Sequence, residues 1–215
     1  LGNVIIGGFA GDALTSGHRN IAIGYEALST EDAHGYNIAI GYRALATQDA
    51  GVAAYNLAIG ADAGRLITTG VENTLIGGNA GDALTIGNHN VAIGFEALST
   101  SVDGDKNVAI GRRALKVYED GDGSGHNTAV GSNSMENTTT GEYNTAVGSQ
   151  AISGGVMTGD YNVVMGYNAG HLITSGGYNH LIGAFAGDAL TTGTSNIAIG
   201  YAALGAEDTG TRSIA

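Results

Sequence analysis

The pentapeptide Asn20-Ile21-Ala22-Ile23-Gly24 recurs unchanged at residues 37–41 and 196–200. Nine further copies keep its outline, anchored on Asn3, Asn56, Asn73, Asn90, Asn107, Asn127, Asn144, Asn162 and Asn179. Successive anchors lie 17 residues apart, apart from single steps of 18, 19 and 20, and each is followed four positions later by Gly. Self-similarity at a fixed short period marks a repeat architecture, in which each unit buries its apolar surface against its neighbours. A single globular core is excluded.

Within one unit the large apolar residues Ile21 and Ile23 stand two apart, the period of a β-strand. This spacing predicts that they share one face and stack from unit to unit as the core. The residue between them then faces outward, where a solvated strand would carry Thr, Lys or Ser. Instead Ala occupies that place in eight of the twelve copies, at Ala22, Ala39, Ala58, Ala92, Ala109, Ala129, Ala146 and Ala198. Alanine is a poor strand former, so its use there predicts close approach of a second surface and assigns these alanines to packing between chains. Both strand faces are expected to be buried.

The rest of each unit turns the chain back. Gly after the strand permits positive φ at a corner, and a second Gly recurs three residues before the next anchor, as at Gly17, Gly70, Gly87 and Gly193. Short apolar elements such as Ala27-Leu28 lie between the corners. Gly every few residues would cost a helix about 1 kcal/mol each, so a helical solenoid is disfavoured. The expected fold is therefore all-β: a parallel β-solenoid, or β-roll, of about twelve coils of 17–20 residues. At roughly 4.8 Å per coil the rod is about 55–60 Å long. Its expected ladder is built of Asn20, Asn37, Asn90 and Asn196 at the strand entrance, Ile23, Ile40, Ile93 and Ile199 in the strand, and Gly24, Gly41, Gly94 and Gly200 at the corner.

Composition removes other classes. Gly is 38 of 215 residues, yet Pro is absent and no Gly-X-Y rhythm exists, so collagen and disordered Pro/Gly tracts do not fit. Without Cys there is no disulfide framework, thiolate ligand or thiol nucleophile. The longest apolar runs are a few residues, too short to insert in a membrane. A net charge of −12 repels nucleic acid and anionic membrane surfaces. The sequence opens on Leu1-Gly2, as if completing a unit, and closes on Ser213-Ile214-Ala215, as if starting one. Residues 1–215 read as a single repeat domain taken from a longer array.

Repeats of the form Asn-x-Ala-Ile-Gly-x-x-Ala resemble those of bacteriophage tail-fibre proteins and of the heads of trimeric autotransporter adhesins, and the likeness runs from Asn3 to Ala215. The adhesin repeats are shorter, nearer 14 residues, and the longer units here are more similar to those of phage fibres. The resemblance implies a left-handed roll, a homotrimer, and a structural or attachment segment of a tail fibre on an extracellular virion. It also implies a host cell-surface receptor or glycan as partner. The alternative it carries is the head of a bacterial surface adhesin. A third class, an ice-binding solenoid, is suggested by Thr15, Thr69, Thr85, Thr140 and Thr192, although they form no regular Thr-x-Thr grid.

Chemistry-bearing residues are sparse. Glu26, Asp32, Asp62, Glu96 and Glu119 are scattered over loops, and no nucleophile elbow, phosphate loop or His-Glu-x-x-His is present, so no enzymatic activity is expected. The segment from Glu119 to Gly125 alternates acids with Gly, and Asp120 and Asp122 are its candidate ligands for Ca²⁺, though the remaining residues of an EF-hand are missing. No other cofactor is implied. The six His residues do not fall at ligand spacing, and His180, which replaces Val, Ile or Thr in a strand, is expected to be packed in the core. Asp12 and its counterparts in Gly-Asp-Ala-Leu are expected to cap short helical turns. Tyr residues flank the pentapeptide on both sides, and their rings are expected to cover the corners and stack on one another.

Overall fold

The computed structural model describes residues 2–119 and 125–215. Each pentapeptide supplies one three-residue strand: β1 (Val4–Ile6), β2 (Ile21–Ile23), β3 (Ile38–Ile40), β4 (Leu57–Ile59), β5 (Thr74–Ile76), β6 (Val91–Ile93), β7 (Val108–Ile110), β8 (Thr128–Val130), β9 (Thr145–Val147), β10 (Val163–Met165), β11 (His180–Ile182) and β12 (Ile197–Ile199). They form one parallel sheet in sequence order, and no helix occurs among the described residues. Register is set by the repeat itself: Ile21 pairs with Ile38, Ala22 with Ala39 and Ile23 with Ile40, so equivalent positions stack. The fold is a β-solenoid. A further bridge, Ile197 to Ile214, continues the ladder past β12.

The strand faces are the reverse of the expectation. Ala22, Ala39, Ala58, Ala92, Ala109 and Ala198 have no exposed surface within the single chain, whereas Ile21 and Ile23 are half-exposed and Ile199 is 62% exposed. These alanines therefore line the inside of the coil and cannot pack between chains. The physical reason is the thinness of the roll. A 17-residue coil encloses little more than one row of side chains from each wall, and the opposite wall already inserts Leu28, Leu45, Leu98 and Leu115, all wholly buried. Small residues fit opposite them; a row of Ile does not.

Two coil designs fill that interior in complementary ways. In the first, Ala at the strand centre faces a large residue eight positions after the anchor, as in Ala22 with Leu28 and Ala92 with Leu98. In the second, the eighth position is Gly11, Gly64, Gly81, Gly170 or Gly187, and the space is taken by an apolar residue three positions later: Leu14, Ile67, Leu84, Ile173 or Leu190. A Cβ on Gly81 would lie 2.9 Å from both Leu75 Cδ2 and Leu84 Cδ1. Four of these five coils also carry a large strand centre, namely Ile5, Leu75, Val164 and Leu181. Packing density forces the exchange, because interiors tolerate neither voids nor overlap.

The return wall has its own backbone order. The sixth residue after the anchor donates its N–H to the preceding coil, as Glu26 to Gly8 O at 3.0 Å, and the eighth donates to the following coil, as Leu28 to Ala44 O at 3.0 Å. Both sit at positive φ, 54° for Glu26 and 50° for Leu28. Side-chain-bearing residues rarely adopt this region, and the hydrogen bonds to both neighbours hold it. Short helical turns capped by Asp12 or its counterparts do not form; the Asp82 carbonyl instead accepts Leu66 N–H of the preceding coil at 3.1 Å.

The two glycine positions serve different needs. Gly94 after β6 has φ +136°, and its Cβ would also lie 2.5 Å from Gly111 O. Gly70 is not in the left-handed region; there a Cβ would meet Gly87 O at 2.5 Å. Close approach of the next coil, rather than a turn angle, demands the second glycine.

Candidate functional surface

Asparagine is the polar side chain that the coils bury in series, from Asn20 to Asn196, with Asn3 of the first coil half-buried. The N–H of each anchor donates to the Oδ1 of the preceding anchor, an unbroken series from Asn20 on Asn3 to Ser213 on Asn196 at 2.8–3.2 Å. The Nδ2 of the anchor then donates to a carbonyl three residues before the next anchor, as Asn73 to Gly87 O at 2.8 Å and Asn179 to Gly193 O at 2.9 Å. Each side chain thus ties its own corner and the next rung. Asn37 and Asn107 are exceptions, each with its Nδ2 lacking a hydrogen-bond partner, at the start of the 19- and 20-residue units. Asn20, Asn37, Asn90 and Asn196 all belong to this ladder, and Gly24, Gly41, Gly94 and Gly200 form its corners.

The outer face of the sheet is mostly apolar, interrupted at the first strand position by Thr74, Thr128, Thr145 and His180. The last residue of every strand is Ile, Val or Met, and all point away from the interior. Ile59, Ile110, Met165 and Ile182 are 36–42% exposed in the body of the rod, with Ile23, Ile40 and Ile93 somewhat more covered in the same column. Tyr25, Tyr42, Phe95, Tyr167 and Tyr201 run beside them two residues later, all exposed. Twelve strands about 4.8 Å apart and three residues wide give a strip of roughly 53 by 10 Å before the aromatics are added. Monomers rarely expose apolar patches larger than about 300–600 Å². His180 lies on this outer face, exposed at the start of β11, and not in the core.

A second aromatic row precedes the anchors. Tyr36 stacks on Tyr55 with centroids 4.9 Å apart, and His126, Tyr143, Tyr161 and Tyr178 form a column at 4.9, 5.1 and 5.1 Å with interplanar angles of 16° or less. These residues too hold positive φ, from 53° to 67°. Ring stacking offsets part of that strain. Loss of solvent raises the Tyr161 hydroxyl above the ordinary tyrosine pKa, and the neighbouring Tyr143 and Tyr178 push the same way. Since the ring faces are occupied by one another, the column presents edges and hydroxyls outward rather than platforms.

The loop acids are engaged in ion pairs or backbone bonds. Glu26 meets Arg43 at 3.4 Å, Asp62 meets Arg65 at 3.6 Å, and Glu96 receives Arg113 at 2.8 Å and Lys116 at 2.9 Å. Glu119 Oε2 accepts Val102 N–H at 2.8 Å. Asp32 instead joins Glu31, His34 and Asp49, a cluster that the spacing of His residues alone does not reveal. Asp120 and Asp122 lie outside the described residues. Of the threonines, Thr15 and Thr85 donate to carbonyls of the following coil, Asp32 O and Val102 O, each at 3.1 Å. Those hydroxyls serve the solenoid.

Comparison with protein-family models, with curated proteins and with solved structures finds no match to this chain.

Proposed function

We propose that the chain is a shaft or head segment of a trimeric fibre, of the kind that carries host attachment in a phage tail. The observation that carries this reading is the outward column of Ile, Val and Met running the length of the sheet. Together with the aromatic row beside it, the strip approaches the roughly 800 Å² per partner of a standard interface. Three copies packed around an axis parallel to the rods cover the strip of each with the strips of the other two, the alanines staying inside each coil. The stacked design suits projection: twelve rungs are held by backbone and Asn bonds whose contribution grows with length. The negative charge, −12 per chain, multiplies on association and keeps such fibres apart. On this reading the rod belongs to an extracellular virion structure, and receptor or glycan contact falls to exposed loops and aromatic edges.

The test is the mass of the purified chain in solution by sedimentation equilibrium. The reading expects a value near three times 21.4 kDa, and expects Ile93→Arg, on the outer face of β6, to yield folded monomers. Glu26→Gln, on the return wall, leaves the trimer intact. A monomer in the unsubstituted chain refutes the reading.

A further inference from the structure

Eleven residues after the anchor, the chain points into the roll. The second coil design places Leu or Ile there, and the first places Gln48, Ser101, Tyr118 and Thr138, all wholly buried, with Gly155 and Glu207 only half-buried at the same position in two further coils. In the coil of β2 the position holds Glu31, the one buried carboxylate among the described residues. Gln48 in the next coil shows how a polar group is accommodated: its amide accepts from Asn56 Nδ2 at 2.6 Å and donates to Thr68 O at 3.3 Å. Glu31 is not so served. Its Oε1 accepts His34 N–H at 2.8 Å, while its Oε2 is buried without a hydrogen-bond partner. His34 Nδ1, 3.5 Å from Glu31 Oε1, is likewise buried and unpartnered. A carboxylate removed from water without compensation is costly, and here a second ligand-type atom is orphaned beside it.

We propose that Glu31, Asp32, His34 and Asp49 form a binding site for a divalent transition-metal cation of the zinc class. One ligand atom from each of the four lies within 4.8 Å of all the others. Tetrahedral zinc with bonds of about 2.0–2.2 Å holds its ligands about 3.3–3.6 Å apart, so atoms already within 4.8 Å of one another close on one ion by side-chain shifts of about an ångström. One imidazole with three carboxylates favours zinc or a similar ion over magnesium or calcium, which take all-oxygen shells. Glu31 and His34 offer the inner side of the site; Asp32 and Asp49 are exposed and form its mouth. Because Asp49 sits one coil beyond the other three, the ion would clip two successive coils together at the return edge. The bound ion supplies the partner that Glu31 Oε2 lacks.

The experiment is calorimetric titration of the full 215-residue chain, stripped with chelator, with zinc, magnesium and calcium chlorides separately. Melting is followed by circular dichroism, and a cobalt(II) absorption spectrum reports nitrogen ligation. The expected result is a zinc event of one equivalent per chain that raises the melting temperature by several degrees. Asp49→Asn and Glu31→Gln each weaken it at least tenfold, and His34→Ala shifts the cobalt bands. Asp49→Asn alters an exposed side chain, so its fold is retained whatever Glu31→Gln does. His89→Ala serves as control, because it removes another histidine, exposed beside Glu72 at 3.1 Å, and leaves the event unchanged. No saturable zinc binding, zinc binding unaltered by Asp49→Asn, or calcium held more tightly than zinc by these residues overturns the proposal.

Discussion

Converting one coil design into the other tests the packing argument at its most specific point. Leu75 at the centre of β5 is wholly buried, and a Cβ added to Gly81 would approach its Cδ2 to 2.9 Å. Leu75→Ala removes three carbons, about 2.4 kcal/mol at ~0.8 per methylene, and the cavity it leaves brings the loss to roughly 3–5 kcal/mol. Gly81→Leu alone forces a side chain into occupied space, for about 1–3 kcal/mol, and adds a strain of about 1 kcal/mol for a φ of +55°. Leu84→Ser opens a comparable void beside Gly81. Made together, the three substitutions give this coil the Ala, Leu and Ser found at Ala92, Leu98 and Ser101 one coil further on. The combined loss is then expected to fall below 2 kcal/mol although the separate losses sum to several times that. Urea unfolding monitored by circular dichroism measures each variant. Losses that add within about 0.5 kcal/mol would refute the complementarity of the two designs.

Three further outcomes follow from the ladder and the charged edges. Asn73→Asp replaces the donor that meets Gly87 O at 2.8 Å with a carboxylate oxygen, and leaves a buried charge; a loss of more than about 2 kcal/mol is expected in the same urea assay. The hydrogen bond from Lys116, aided by Arg113 and opposed by partial desolvation, lowers the Glu96 pKa below its ordinary value. Its contribution is therefore present at neutral pH and lost as pH falls through that lowered pKa, so the melting-temperature gap between the unsubstituted chain and Glu96→Gln should close on acidification. Burial raises the Asp82 pKa despite the opposing charge of Arg65, which makes ionised Asp82 a penalty at neutral pH. Asp82→Asn should accordingly raise the melting temperature at pH 7, with the gain vanishing once pH drops below the ordinary carboxylate range.

Much of this architecture can be read from the repeat alone. A spacing of 17 with Gly at one fixed offset leaves a coil with corners as the economical solution, and the recurrence of Asn before each strand predicts a stacked amide, because its carboxamide carries separate donor and acceptor atoms that reach two coils at once. The insertions are legible as well: the 19-residue unit begins at Asn37, whose Nδ2 loses its partner. The cluster at Glu31 was not legible, since Asp49 belongs to the following unit, and only the return path of the coil decides which acids of adjacent units meet. Nor was positive φ at Tyr36, Glu26 or Leu28, because hydrogen bonds to the coils above and below, not the residues' own preference, hold them there.

The inverted strand faces have a different cause. An alternating pattern reveals which residues share a face, but assigns the inner one only when the other face is polar. In Ile21-Ala22-Ile23 both faces are apolar, so size has to decide, and the rule that larger residues go inside fails in a space one side chain deep. The information was present in another form. Strand centres enlarge to Ile5, Leu75, Val164 and Leu181 only in coils whose eighth position shrinks to Gly, and two positions compensate in volume only when they compete for the same interior. The last strand position, by contrast, is Ile, Val or Met whichever design the coil follows. Its indifference to the interior is the sequence's own sign that it faces out.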